Sequence, residues 1–188
     1  MKKILVCLSL FLLLAVGCTN TMNTPTKKVE ELLGKYQKMD STVLAQLDSV
    51  ISEDVNMSDE QKKEYRSLME KQYQNLSYKV KNEEIKGNTA TVDVEIEVFD
   101  YAASIADAKK YYNEHQDEFK DDDSLSEKEE EIDKNSKYID YKIKQLKNVT
   151  DKKKYEITFN LNKDNDDIWE LDNISDADRE KIHGLYED

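Results

Sequence analysis

Two histidines, two cysteines and forty-one acidic residues are the chemically versatile side chains of this 188-residue chain. His115 and His183 lie far apart, in the charged stretches "YYNEHQDEF" and "DREKIHGLY". Neither stands beside a cysteine or a serine in a sharp strand-to-helix turn, so no nucleophile–base pair can be read. Both are expected on the surface. Gly17, Gly34, Gly87 and Gly184 are isolated, which excludes a glycine-rich phosphate loop. Zinc lacks ligands of the right types. Asn162, Asp164 and Asp166 have the one-three-five spacing of a calcium loop. However, Asp167 stands where such a loop needs glycine, and Asn173 where it needs a bidentate glutamate. A hairpin turn is the expected structure there. Asp121-Asp122-Asp123 reads as a solvated charge run. No catalytic, cofactor-binding or metal-ligating residue is assigned, and no cofactor is expected.

Chemistry of another kind is written at the N-terminus. Lys2 and Lys3 precede an apolar run from Ile4 to Val16, which ends at Gly17-Cys18. Thirteen residues fall short of the roughly 20 needed to span a bilayer, but they fit a secretory leader. Leu14-Ala15-Val16-Gly17-Cys18 resembles the lipobox of bacterial lipoproteins, with Ala15 where that box prefers leucine. The resemblance implies that the Cys18 thiol takes a diacylglyceryl group and that a peptidase cuts between Gly17 and Cys18. Two acyl chains give stable attachment where one does not. The expected organisation is a signal peptide over 1–17, a tether over 18–24 and a single domain over 25–188. At about 3.5 Å per residue, Thr19 to Thr24 reach about 20 Å, which keeps the domain close to the extracytoplasmic face of the cell membrane.

Composition narrows the partners. Loss of Lys2 and Lys3 with the leader takes the formal net charge from −13 to −15. Nucleic acid needs basic partners and is excluded. A surface lying flat on anionic lipid is disfavoured for the same reason. If Cys7 leaves with the leader and Cys18 is acylated, as the lipobox resemblance implies, the domain has only its core for stability.

Periodicity supplies that core. Thr24-Pro25 predicts a helix start, followed by Val29, Leu32, Leu33, Tyr36 and Met39 at helical spacing. Asp40-Ser41 caps a second helix with Val43, Leu44, Leu47, Val50 and Ile51 as its stripe. Ser58 and Gln61 have capping-box spacing before a third, with Tyr65, Leu68, Met69, Tyr73 and Leu76 on one face. The period then becomes two through Tyr78 and Val80, and through Ala90, Val92, Val94, Ile96 and Val98. A two-residue Gly87-Asn88 loop would pair Ile85 with Ala90 and set odd residues against even ones. One residue must therefore be absorbed, by a longer loop or by a bulge near Glu83-Glu84. Helix returns over 102–120, with Ile105, Ala108, Tyr111, Tyr112 and Phe119. After Asp121–Ser124 a charged helix is expected from about Leu125, its apolar line being Ile132, Ile139, Ile143 and Leu146. Tyr155, Ile157, Phe159 and Leu161 alternate, as do Trp169 and Leu171. Pairing Leu161 with Trp169 leaves a short Asp164-Asn165-Asp166 loop. Ser175 caps a last helix holding Ile182 and Leu185.

The class is α+β: N-terminal helices on a curved antiparallel sheet, a helical insertion at about 102–148 between two hairpins, and a short C-terminal helix. This layout resembles the cone-shaped NTF2-like superfamily. Residues 155–186, "YEITFNLNKDNDDIWELDNISDADREKIHGLY", resemble the end of uncharacterised lipoproteins of low-GC Gram-positive bacteria that pair a lipobox with such a domain. NTF2-like enzymes act inside the cone, so Tyr78 or Trp169 could line a cavity or equally be core. The expected function is a non-enzymatic, lipid-anchored module that meets another envelope component. The alternative is a small-molecule binder or enzyme using the cavity. A third reading makes the acidic stretch 121–131 an arm for peptides or cations.

Overall fold

A strand that alternates valine and isoleucine with acids must dry one face and wet the other. In the computed structural model, which describes residues 23–120 and 129–187, that strand is β2 (Thr89–Phe99). It lies between β1 (Ser77–Lys86) and β3 (Lys152–Lys163), and β4 (Trp169–Leu171) completes a curved, open antiparallel sheet in the order β1-β2-β3-β4. Ala90, Val92, Val94, Ile96 and Val98 are buried on the inward face, beside Tyr155, Ile157, Phe159 and Leu161 of β3. Each valine, isoleucine, leucine or phenylalanine among them contributes roughly 1.5–3 kcal/mol when removed from water.

The helices that cover this face start where their caps direct. Thr24 accepts from the Lys27 amide at 3.2 Å and Pro25 opens α1 (Pro25–Gln37), which brings Val29, Leu33 and Tyr36 into the core. Asp40 accepts from Thr42 at the start of α2 (Ser41–Glu53). A complete capping box of Ser58 and Gln61 opens α3 (Asp59–Asn75), which adds Leu68, Met69 and Tyr73. Ser175 caps α6 (Asp176–His183), whose Ile182 is fully buried.

The β1–β2 hairpin absorbs its extra residue by a bulge. The loop is two residues long and Ile85 pairs with Ala90, so odd meets even near the turn. The register shifts between Val80 and Asn82, after which Val80 meets Val94 and Tyr78 meets Ile96. The bulge thus falls at Lys81 rather than at Glu83-Glu84. It returns Tyr78 and Val80 to the core margin while Lys81 reaches Glu95 on the outer face at 2.7 Å.

The β3–β4 turn differs from the expected one by two residues. Leu161 pairs with Leu171, and Lys163 with Trp169. The Asp164 carboxylate accepts from the amides of Asp166 and Ile168, both at 2.8 Å, and the Asp164 amide donates to the Ile168 carbonyl. That closes a five-residue loop, with Asp167 in the left-handed region at φ 60°. Side-chain parity is unchanged.

The insertion holds a second apolar cluster. It comprises α4 (Tyr101–Glu114), a 3₁₀ turn at Gln116–Phe119, another at Glu129–Lys134, and α5 (Ser136–Lys147). Ala108, Phe119, Ile132 and Tyr138 form the cluster, with Tyr111, Tyr112 and Tyr141 against it. Ile139, Ile143 and Leu146 instead join the main core. The single charged helix expected from about Leu125 is interrupted, because Asn135 caps α5 by accepting from Tyr138. Leu125 itself and the Asp121–Asp123 run lie outside the described residues. Val50, expected in the α2 stripe, is 70% exposed, since only Val43, Leu47 and Ile51 of that helix face inward.

Candidate functional site

The residues with an expected chemical role, Gly17 and Cys18, lie outside the described part of the chain. The structure does show where the chain that follows them enters the fold. Asn23 is clipped to the β3–β4 loop by two hydrogen bonds: its Nδ2 donates to the Asp167 carbonyl at 3.0 Å, and its Oδ1 accepts from the Trp169 amide at 3.0 Å. Thr24 and Pro25 then turn the chain directly into α1. The neighbouring β1–β2 turn lies at the same end of the sheet, because the Lys163 amide donates to the Asn88 carbonyl at 2.8 Å. Both hairpin turns and the chain entrance therefore share one end. The insertion leaves β2 at Phe99, the other end. Asn23 was not singled out in the sequence. An asparagine two residues before a helix proline gives no hint of a partner some 140 residues on.

The histidines behave differently from each other and, in one case, from expectation. His115 follows α4, stacks on Tyr111 with ring centroids 4.0 Å apart, and sets its Nδ1 3.0 Å from the Tyr111 carbonyl. Tyr111 is sandwiched in turn on Tyr141 at 4.9 Å. His183 is half-buried rather than an exposed surface residue. Its ring lies against Tyr73 at the end of α6, with Nε2 3.2 Å from the Tyr73 hydroxyl. Burial, helped by the charge of Arg179, holds its pKa down at about 4. The same enclosure raises that of Tyr73. The helical spacing of "REKIHGLY" places His183 one residue after buried Ile182, where the charged neighbours disguise it.

Beside it lies a polar group that periodicity missed altogether. Gln72 is completely buried. Its Oε1 accepts from the Phe99 amide at 2.9 Å, while its Nε2 donates to the carbonyls of Phe99 at 3.0 Å and His183 at 2.8 Å. One side chain thus joins α3, the end of β2 and the end of α6 with every hydrogen-bonding atom satisfied. Gly184 follows at φ 71° and accepts from the Ala102 amide at 2.8 Å. This node holds structure together; it presents no reactive group to solvent.

The remaining candidates resolve simply. Asn162, Asp164 and Asp166 belong to the β3–β4 hairpin, and among the described residues no three His, Cys, Asp or Glu side chains converge as a metal site. Trp169 is buried in the main core, and Tyr78 is half-buried at its edge. A shallow groove on the outer side of α3 is lined by Glu60, Lys63, Glu64, Ser67, Lys71 and Lys147, with Lys147 and Glu64 paired at 2.7 Å. On the outer sheet face, the lysines 81 and 154 hold the Glu95 carboxyl down at about 2. Among the described residues no helix is long and apolar enough to cross a membrane.

No protein-family model matches the chain, and no curated protein is similar to it by sequence. Among solved structures it is similar to a "putative lipoprotein (ycdA)" from Bacillus subtilis subsp. subtilis str. 168, at 19% identity and a TM-score of 0.40. The similarity covers 100% of this chain and 60% of that one, so this chain spans about three-fifths of the neighbour's length. A likeness of that degree assigns neither family nor function.

Proposed function

We propose that the protein is a lipid-anchored extracytoplasmic module, held to the cell membrane through acyl chains on Cys18 after cleavage between Gly17 and Cys18. Its NTF2-like α+β domain serves as a non-enzymatic binding unit for another envelope component. The observation that carries the reading is the N-terminal sequence itself: two lysines, a thirteen-residue apolar run interrupted only by Cys7 and Ser9, then Gly-Cys. The Asn23 clip supports it, because Asn23, five residues after the cysteine, is already held to the β3–β4 loop, so that any tether between them is short. The dry packing of Val92, Val94, Ile96 and Val98 favours recognition by the outer surface over chemistry in a cavity lined by that face.

The test is metabolic labelling with radioactive palmitate. The native chain is expected to incorporate label, and Cys18→Ser to incorporate none. Continued labelling of the variant, or a mature N-terminus other than Cys18, would overturn the assignment.

A further inference from the structure

We propose that the end of the sheet bearing both hairpin turns is the membrane-facing surface, and that Ile85 and Ile168 seat it on the lipid. The proposal rests on Cys18 being the attachment point.

The argument is one of reach. From Cys18 to the clipped Asn23 the chain extends at most about 17 Å. Strand β2, with its eleven residues, is about 36 Å long. Asn23 is fixed at the turn end of that length, beside Trp169 and Asp167. To bring the opposite end to the bilayer, the tether would have to run back along the whole sheet, which its length forbids. The insertion, which leaves β2 at Phe99 and rejoins β3 at Lys152, and the start of α3, bonded to it through Gln61, consequently face away from the lipid.

The turn end also has the side chains for the contact. Ile85 is 51% exposed on the last residues of β1, and Ile168 is 42% exposed in the β3–β4 loop. The acidic residues around them are mostly engaged locally. Glu83 accepts from the Thr26 amide at 2.8 Å, Glu84 pairs with Lys86 at 2.8 Å, and Asp164 accepts from its own loop. Asp167 lies 3.4 Å from Lys163. Two apolar side chains on a tethered domain need little intrinsic affinity, because the anchor supplies a high effective concentration of lipid surface.

The experiment uses the mature chain 18–188, in which Cys18 is the only cysteine. Its thiol is coupled to a maleimide-headgroup lipid in phosphatidylcholine vesicles, and lysines are mapped by amine-reactive footprinting and mass spectrometry. Lys27 and Lys86, at the turn end, are expected to lose reactivity severalfold relative to the uncoupled protein, while Lys63 and Lys134 keep theirs. The double variant I85D/I168D, at two exposed sites, should regain full reactivity at Lys86 while still coupled. Equal reactivity at both ends, or protection of Lys63 and Lys134 instead, would overturn the orientation. Persisting protection in the double variant would overturn the role of the isoleucines. Because the coupling is chemical, either result stands apart from whether cells acylate Cys18, which the palmitate experiment decides.

Discussion

Gly184 lies so close to Gln72 that a Cβ on the glycine would collide with the amide nitrogen of that side chain and with the Phe99 carbonyl behind it. The glycine also sits at φ 71°, where an L side chain is strained. Gly184→Ala is therefore expected to cost roughly 3 kcal/mol or more, since αL strain of about 1–2 kcal/mol adds to a clash with fixed backbone. Gly34 is the opposite case: it lies inside α1 with nothing near its missing Cβ. Gly34→Ala should stabilise by roughly 0.5–1 kcal/mol. Urea melts of the two variants against the native chain measure both signs at once.

His183 makes stability depend on pH in a defined window. Its folded-state pKa of about 4 lies below the ordinary 6.5, so the unfolded chain takes up a proton before the folded one does. The stabilisation is complete above pH 6.5 and is lost as the pH falls toward 4, with a total on the order of 3 kcal/mol. His183→Gln keeps a polar partner for the Tyr73 hydroxyl but cannot titrate. Denaturation midpoints between pH 7 and 5 should fall for the native chain and stay nearly level for the variant.

Gln61 ties the insertion to the body. It is buried, its Oε1 accepts from the Ser58 amide, and its Nε2 donates to Asp140 at 2.7 Å and to both oxygens of Ser136 at 3.1 Å. Gln61→Glu replaces the donor with a carboxylate facing another carboxylate. A loss of roughly 2 kcal/mol is expected at pH 7, from an unsatisfied buried charge. It should shrink near pH 4, where the introduced carboxyl takes a proton and can donate again. Thermal melts at the two pH values report it.

Asn23→Ala removes both bonds of the clip. The effect on global stability should be small, about 1 kcal/mol. Local consequences should be plain: the Trp169 amide loses its acceptor, and its hydrogen exchange should accelerate while amides in the middle of β2 are unaffected.

Much of this architecture was legible in the chain. Alternation placed Val92, Val94, Ile96 and Ile157 on one face, and Thr24, Asp40, Ser58 and Ser175 each cap the helix expected of them. Such signals are local, so sequence carries them directly. The bulge was demanded by parity, but its place at Lys81 depends on how β1 meets its neighbours, which no local rule contains. The β3–β4 register slipped by two because parity cannot distinguish shifts of an even number; hydrogen bonds from Asp164 chose between them. Gln72 and His183 were illegible for a different reason. The burial of Gln72 and the half-burial of His183 are offset by partners distant in sequence, and a polar residue among charged ones looks like solvent-facing helix until the fold brings Phe99 and Tyr73 to it.

The separation of β2 from β3 by the insertion shapes how the molecule assembles. Phe99 pairs with Lys152, so the central register can form only by closing a loop of roughly fifty residues, at an entropic cost about 2 kcal/mol above that of a five-residue turn. The β1–β2 hairpin carries no such penalty. In a refolding time course, pulse-labelled amides between β1 and β2 should therefore be shielded early, and those joining β2 to β3 late. In the interval, the edge of β2 that later pairs with β3 stands open, making nascent chains vulnerable to mispairing and to proteases until the detour through α4 and α5 has been closed.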